Sequence, residues 1–316
     1  MKTSSSAVRA GLICAASIAF AVAPSLVAQT VDTVRVAYPA VKCASCVAWN
    51  EPRSPFKIFG NTYYVGTAGL SSILITSANG HVLIDGALPL SAPLIEANIR
   101  ALGFRVEDVR LILNSHAHYD HAGGIAAIQR ASGARVAALP WSAEVLERGE
   151  SDKRDPQFGV VNPFPPVRGV QRIRDDETLR VGSLALAAHL TAGHTPSGTS
   201  WTWQSCEQGR CVNILYADSQ SPVSADSFYF THNATYPTAE SDFMRGLSVL
   251  EQLPCDILLT PHPGVSSFFD RVAARDSGSV SALVDPALCK RVVDSARRDV
   301  TARMVRERAA HDSSTR

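Results

Sequence analysis

The chain has 316 residues, 46% hydrophobic and 19% charged, with 20 Gly and 18 Pro, a balance that excludes a disordered or collagen-like polymer. A chain of this length buries a large core without needing staples to fold. Lys and Arg together number 30 against 29 Asp and Glu, so the net charge is +1, which leaves no basic field for nucleic acid and no acidic tail.

The chain opens on a leader pattern. Lys2 and Arg9 form a basic segment, Ala10 to Ala23 is an apolar run broken only by Ser17, and Val27-Ala28-Gln29 offers a cut after Ala28. This is the pattern of a secretory signal peptide. The apolar run is too short to span a bilayer, which takes about 20 residues, and bulky Ile13 before Cys14 argues against a lipidated cysteine. The mature chain is expected to be periplasmic or secreted, off the membrane, monomeric and not bound to nucleic acid. The expected plan is a signal peptide over 1–28, an N-terminal arm over 29–55, the main domain over 56–310 and a frayed tail over 311–316.

The arm carries Pro and Cys without periodic apolar runs and reads as extended. From Phe56 onward short apolar runs alternate with Gly and Asn: Lys57-Ile58-Phe59, Tyr63-Tyr64-Val65, Ser72 to Ile75 and Val82-Leu83-Ile84, with Asn79-Gly80 before the last. That pattern predicts a β-meander. Leu94, Ile95, Ile99 and Leu102 have helical spacing over 93–102, stopped by Gly103. A buried strand follows at 109–113, then a helix at 121–131, a strand at 135–139 and a helix at 142–148, which is βαβ alternation. Residues 149–170 are rich in Pro and Gly and lack a period, as functional loops do. Strands resume at 178–181, 184–190, 199–204 and 212–216. A helix over 240–253, a strand over 256–259, a helix over 265–275 and a charged helix over 285–308 complete the chain. Strands followed by helices, twice, predict an α/β fold of two sheets face to face with helices outside.

Without Cys14 six cysteines remain, an even number that suits disulfides in an exported chain. Cys206 and Cys211 flank Glu-Gln-Gly-Arg, a short turn, and are placed to close a hairpin. Cys43 and Cys46 form a C-x-x-C that pairs with itself or binds something else. No second C-x-x-C exists to complete a four-cysteine zinc site.

The densest chemistry lies in Asn114-Ser115-His116-Ala117-His118-Tyr119-Asp120-His121. Two positions apart on extended backbone, His116 and His118 point the same way and reach one metal. Asp120 and His121, at the turn into the helix, face a second metal beside it, and Gly123-Gly124 permits close backbone approach. His and Asp ligands without Cys fit zinc. His194, in Gly193-His194-Thr195-Pro196, and His262, in Pro261-His262-Pro263, sit in loops at strand ends, where sites usually lie. His81, His189, His232 and His311 lack such surroundings and read as ordinary core or surface residues.

His-x-His-x-Asp-His, then Gly-His, then a strand-end His resembles the metallo-β-lactamase superfamily over roughly residues 56–290, and within it the class B β-lactamases of the third subclass. The resemblance implies a four-layer αββα sandwich and two zinc ions, one held by His116, His118 and His194, the other by Asp120, His121 and His262. The first and second subclasses carry a Cys ligand where this chain reads Asp218-Ser219-Gln220-Ser221. Asp155-Pro156-Gln157-Phe158-Gly159 is similar to the subclass loop whose Gln lines the active site, and Ser221 to a serine that contacts the substrate carboxylate. Val223 departs from a serine found in several members. Cys255 and Cys289 match the subclass's C-terminal disulfide, and Cys206 and Cys211 a second bridge; Cys43 and Cys46 have no counterpart.

The implied activity is hydrolysis of the β-lactam amide in penicillins, cephalosporins and carbapenems by a zinc-bound hydroxide, with Asp120 orienting the nucleophile and no side-chain nucleophile. No G-x-S-x-G elbow is present. A lactonase or thioesterase of the same superfamily is the alternative, with Asp218 bridging both metals. A non-catalytic zinc-binding protein on the same fold is a more distant one.

Overall fold

Two β-sheets form the centre of the molecule. The computed structural model describes residues 1–4, 43–279 and 281–314. The expected signal peptide beyond residue 4, and the arm up to residue 42, therefore lie outside the described residues. Among the described residues no helix is long and apolar enough to cross a membrane.

A single helical turn, α1 (Cys46–Trp49), precedes the first sheet, which holds β1 (Phe56–Phe59), β2 (Thr62–Tyr64), β3 (Ile73–Ile75), β4 (His81–Ile84), β5 (Val109–Leu113), β6 (Arg135–Ala138) and β7 (Val170–Arg172) in sequence order. The first four strands pair antiparallel, as the meander pattern requires. From β4 to β7 the pairing is parallel, so each step needs a crossover. These are α2 (Ala92–Ala101) before β5, α3 (Tyr119–Ala122) with α4 (Ile125–Ser132) before β6, and α5 (Pro140–Arg148) before β7. Val82, Leu83, Leu111 and Ile112 are fully buried because this stretch of sheet is covered on both faces.

The second sheet runs β12-β11-β10-β9-β8, with β8 (Thr178–Val181), β9 (Leu184–Leu190), β10 (Thr199–Glu207), β11 (Arg210–Tyr216) and β12 (Ile257–Leu259). Only β11 and β12 pair parallel, through the crossover helix α6 (Ala239–Gln252). The helices α7 (Phe268–Asp276) and α8 (Pro286–Ser314) close the chain.

The core has three parts, and they define the layers. Tyr64, Ile84, Leu113, Trp201 and Tyr216 pack between the sheets. Ile95, Ile99, Ile128 and Leu146 pack α2, α4 and α5 on the outer face of the first sheet. Phe243, Leu247, Val293 and Met304 pack α6 and α8 on the outer face of the second. This is the αββα sandwich.

Several boundaries differ from the sequence reading, each for a local reason. The arm is not extended throughout: Cys46–Trp49 forms a helical turn. The helix expected over 121–131 starts at Tyr119 and breaks at Gly123-Gly124, where the backbone meets Gly86; a Cβ on Gly124 would lie 2.2 Å from the Gly86 carbonyl oxygen. The helix expected over 265–275 divides into a 3-10 turn, Pro263–Ser266, and α7, separated by Ser267 at φ 46°. Strand β7 starts at the last residue of the segment read as irregular, 149–170, and runs on to Arg172; three residues at a sheet edge carry almost no periodic signal. The terminal helix runs to Ser314 and so takes in most of the expected frayed tail.

All six cysteines pair as Cys43–Cys46, Cys206–Cys211 and Cys255–Cys289. The last ties α8 to the segment before β12 across a sequence separation of 34. A loop of that length gives a chain-entropy stabilisation of about 2–4 kcal/mol. The Cys255→Ser/Cys289→Ser double variant is expected to lose that much in urea unfolding, with its far-UV spectrum retained.

Candidate metal centre

The six predicted ligands come from three segments, all beyond the carboxyl ends of strands, where open α/β sheets place their sites. Beyond β5, Asn114 and Ser115 are held by Asp85 at the end of β4. Its Oδ1 accepts from Asn114 Nδ2 (3.0 Å) and Ser115 N (2.7 Å), and its Oδ2 from the Ser115 and Tyr216 hydroxyls (2.7 Å each). Burial raises the Asp85 carboxyl above its usual range, against the pull of His121 and these hydrogen bonds. The chain stays extended as far as His118 (φ −97°, ψ 155°), so His116 and His118 emerge on one side. Asp120 and His121 follow on the first turn of α3.

His194 enters from the loop after β9, which Thr191 N closes by donating to Gly198 O (2.8 Å). His262 enters after β12. Ser71 anchors that loop, its N donating to Pro261 O (2.8 Å) and its Oγ to Thr260 O (2.7 Å).

These segments converge as two facing triads. The rings of His116, His118 and His194 have centroids 4.8 to 5.1 Å apart. The His116 ring lies 4.4 Å from that of His121, which lies 4.8 Å from that of His262. Asp120 Oδ2 is 3.3 Å from both His121 Nε2 and His262 Nε2. Donor atoms of His116, His118 and His194, and those of His116, Asp120 and His121, lie within 4.8 Å of one another.

What fixes the rings is as informative as what they face. One nitrogen of each of four histidines is engaged on the outside: His116 Nδ1 with Asp218 Oδ1 (2.7 Å), His118 Nε2 with Asp155 Oδ2 (2.9 Å), His194 Nδ1 with the Ser221 carbonyl (3.0 Å) and His262 Nδ1 with the Gly69 carbonyl (3.3 Å). With a carbonyl or carboxylate outside, the outer nitrogen carries the proton and the inner one keeps its lone pair. Both nitrogens of His121 are buried without a hydrogen-bond partner. Orphaned imidazole nitrogens, inward lone pairs and one carboxylate, with no thiolate, form a donor set that fits zinc.

The electrostatics agree. Burial, reinforced by His121, His118 and His194, holds His116 well below the usual imidazole range. Burial and His118 push His194 down to about 4. Burial opposes the charge on Asp120, but His121 and His262 outweigh it and keep the carboxylate ionised. Burial likewise opposes a charge on His121, and Asp120 with Asp85 outweighs it, so that ring is raised.

A cleft of about 200 Å³ opens onto both triads, bordered by Gln157, Ser221 and Val223. The Gln157 amide nitrogen lies 3.2 Å from His194 Nε2 and 3.5 Å from His118 Nδ1, within reach of anything bound at the first triad. The irregular segment at 149–169 carries both Gln157 and Asp155. The four remaining histidines stand outside the cluster; His189 meets Asp176 and Thr202, and His232 stacks on Tyr229 beside His311.

Three contributors escape the sequence reading. Asp85 and Asp155 act on groups that only the fold brings close to them; an Asp closing a buried strand, followed by Gly86, was the available hint of the first. Trp49 comes from the arm and borders the cleft, its ring 4.9 Å from that of His262, and no local pattern marks it. Asp218 proves to be the outer partner of His116.

Comparison with known proteins agrees with this geometry. The sequence matches the metallo-beta-lactamase superfamily over residues 66–207. The Rm3 metallo-beta-lactamase is 50% identical, the match covering 85% of this chain and 100% of that one with a TM-score of 0.83. MEM-A1, a subclass B3 metallo-beta-lactamase from a soil metagenome library, is 42% identical over 83% of this chain and 99% of its own, with a TM-score of 0.81. MIM-1 from Novosphingobium pentaromativorans is 42% identical over 86% and 99%, with a TM-score of 0.78. The chain belongs to the metallo-β-lactamase superfamily, within the class B enzymes of the third subclass. It is a metal-binding hydrolase of the β-lactam amide bond.

Proposed function

We propose that the chain hydrolyses penicillins, cephalosporins and carbapenems with two zinc ions and so confers resistance to them. The observation that carries this reading is the pair of facing triads, His116, His118, His194 and Asp120, His121, His262, with an outer nitrogen of His116, His118, His194 and His262 anchored and the other turned to the shared centre. Zinc bound there supplies a Lewis acid for the lactam carbonyl and a water whose pKa falls to about 7.

The chain's own residues do the rest. Asp120 borders the cleft and orients the attacking water by accepting its hydrogen bond. Gln157 donates its amide hydrogen to a polar group of the substrate, and the Ser221 hydroxyl donates to the substrate carboxylate. Val223 has no donor to add, so Ser221 carries that contact without help from the next wall residue. Asp155 and Asp218 hold His118 and His116 at fixed angles. Export as a monomer, with cleavage near Ala28 and a catalytic domain over 56–310, completes the proposal; three disulfides support an oxidising compartment.

The lactonase or thioesterase reading needs Asp218 between the two triads. Its Oδ1 instead sits on the outer nitrogen of His116, which favours the lactamase. The test is turnover by the zinc-loaded protein of a penicillin, a cephalosporin, a carbapenem, a lactone and a thioester. Lactam kcat/KM is expected at about 10⁴ M⁻¹s⁻¹ or above, within the ordinary enzyme range, with the other two far lower. Preference for the lactone or thioester would overturn the proposal.

A further inference from the structure

A second cavity, of about 280 Å³, lies between the outer face of the second sheet and α8. Leu215 and Leu258 from the sheet, Leu250 from α6, Val292 and Val293 from α8, and Val265 form its walls. An apolar cavity of about 150 Å³ takes benzene, so this one admits a two-ring body.

Apart from His262, its ionisable groups are carboxyls, beside the hydroxyls of Ser219, Ser221, Thr260 and Ser295. No Lys or Arg lines it, and its carboxylates are Asp218 and Asp299. Asp299 is exposed on α8, on the face that carries Val292 and Ala296 by helical spacing, and among the described residues it has no ion-pair or hydrogen-bond partner. Gln220 donates its amide to Thr191 O (3.1 Å), while its Oε1 is buried without a partner. With Asp218 Oδ2, also buried without a partner, the open groups are three oxygens, so the complementary molecule has an apolar body and a protonated amine. A β-lactam carries a carboxylate, the wrong sign for this lining, so the cavity is not a further seat for the substrate.

It nevertheless adjoins the lactam cleft. Ser219, Ser221 and His262 line both spaces, and the Ser221 carbonyl anchors His194. We propose that this cavity is a second ligand site, for a compact two-ring arylalkylammonium ion, coupled to turnover through the Ser219–Ser221 segment and His262.

The zinc-loaded enzyme is titrated calorimetrically at pH 7 with 2-naphthylmethylammonium, 2-naphthylmethanol and 2-naphthoate. The ammonium ion is expected to bind most tightly and the carboxylate least. Asp299→Asn lowers the ammonium affinity about five-fold, the size of an exposed charge pair, and leaves the alcohol unchanged. Ala296→Trp fills the cavity and removes all three interactions with zinc content retained. The ammonium ion also changes kcat at saturating lactam. Equal affinity for the three probes, indifference to Asp299→Asn, or inhibition purely competitive with lactam would each overturn the proposal. Because Asp299 is exposed, its variant decides the matter even if Ala296→Trp does not fold.

Discussion

Chelation of the purified protein is expected to abolish its hydrolysis of a chromogenic cephalosporin, added zinc to restore it, and His118→Ala not to be restored at the same zinc concentration. The expected loss is large because no side chain at the site is an activated nucleophile; the loss of a water whose pKa is lowered from 15.7 to about 7 leaves turnover down by at least about 10³-fold. His118 is the most informative ligand to remove. It is buried, its outer nitrogen is fixed by Asp155, and its inner nitrogen faces the Gln157 amide. Without it the first triad keeps two nitrogens. Asp155 still accepts from the Ser151 hydroxyl and from Gln157 N (2.8 Å), so the 149–169 loop keeps its anchor and the fold survives. Near-UV spectra of the variant are expected to match the parent. Turnover that persists in the chelator, or in His118→Ala, would remove the metal from the mechanism.

The candidate ligands of the first cluster stand out in the sequence because they are local. His116 to His121 fall within one strand-to-helix turn, and alternation along extended backbone fixes which side chains share a side. His194 and His262 were legible more weakly, as strand-end loop histidines. The residues that hold the ligands were not legible as such. Asp85 lies 29 residues from Asn114, Asp155 37 from His118 and Asp218 102 from His116, and nothing in a run of residues signals a hydrogen bond across such a distance. Trp49 shows the same limit: a cysteine-bearing arm without periodicity reads as an extension, yet packing against Gly69 and His262 makes it a wall of the cleft. The fold divides along the same line. Long periodic elements such as β9 appeared at their full length, whereas β7 and the break at Ser267 depend on neighbours rather than on their own residues.

Asp218→Asn is expected to weaken zinc binding by about 10- to 100-fold, the usual cost of losing the carboxylate behind a metal-ligating imidazole, and to leave the number of zinc ions bound at saturation unchanged. Asp218 is fully buried, with Oδ1 2.7 Å from His116 Nδ1. The asparagine keeps the shape of the side chain but replaces the carboxyl group that meets His116 Nδ1, so the loss falls on affinity. Gly198→Ala reaches the same end from the other side: a Cβ there would lie 2.2 Å from Asp218 Oδ2 and 3.0 Å from the Thr191 carbonyl oxygen. The carboxyl group must then move off His116, and the variant is expected to resemble Asp218→Asn in zinc affinity. Competition with a chromophoric chelator gives the affinities, and metal analysis at saturation gives the stoichiometry. The stoichiometry separates the two roles open to this carboxylate. A residue that orients His116 loses affinity that excess zinc recovers, along with most of kcat. A bridging ligand loses an ion, and no concentration of zinc restores turnover; that result would move the chain to the lactonase or thioesterase reading.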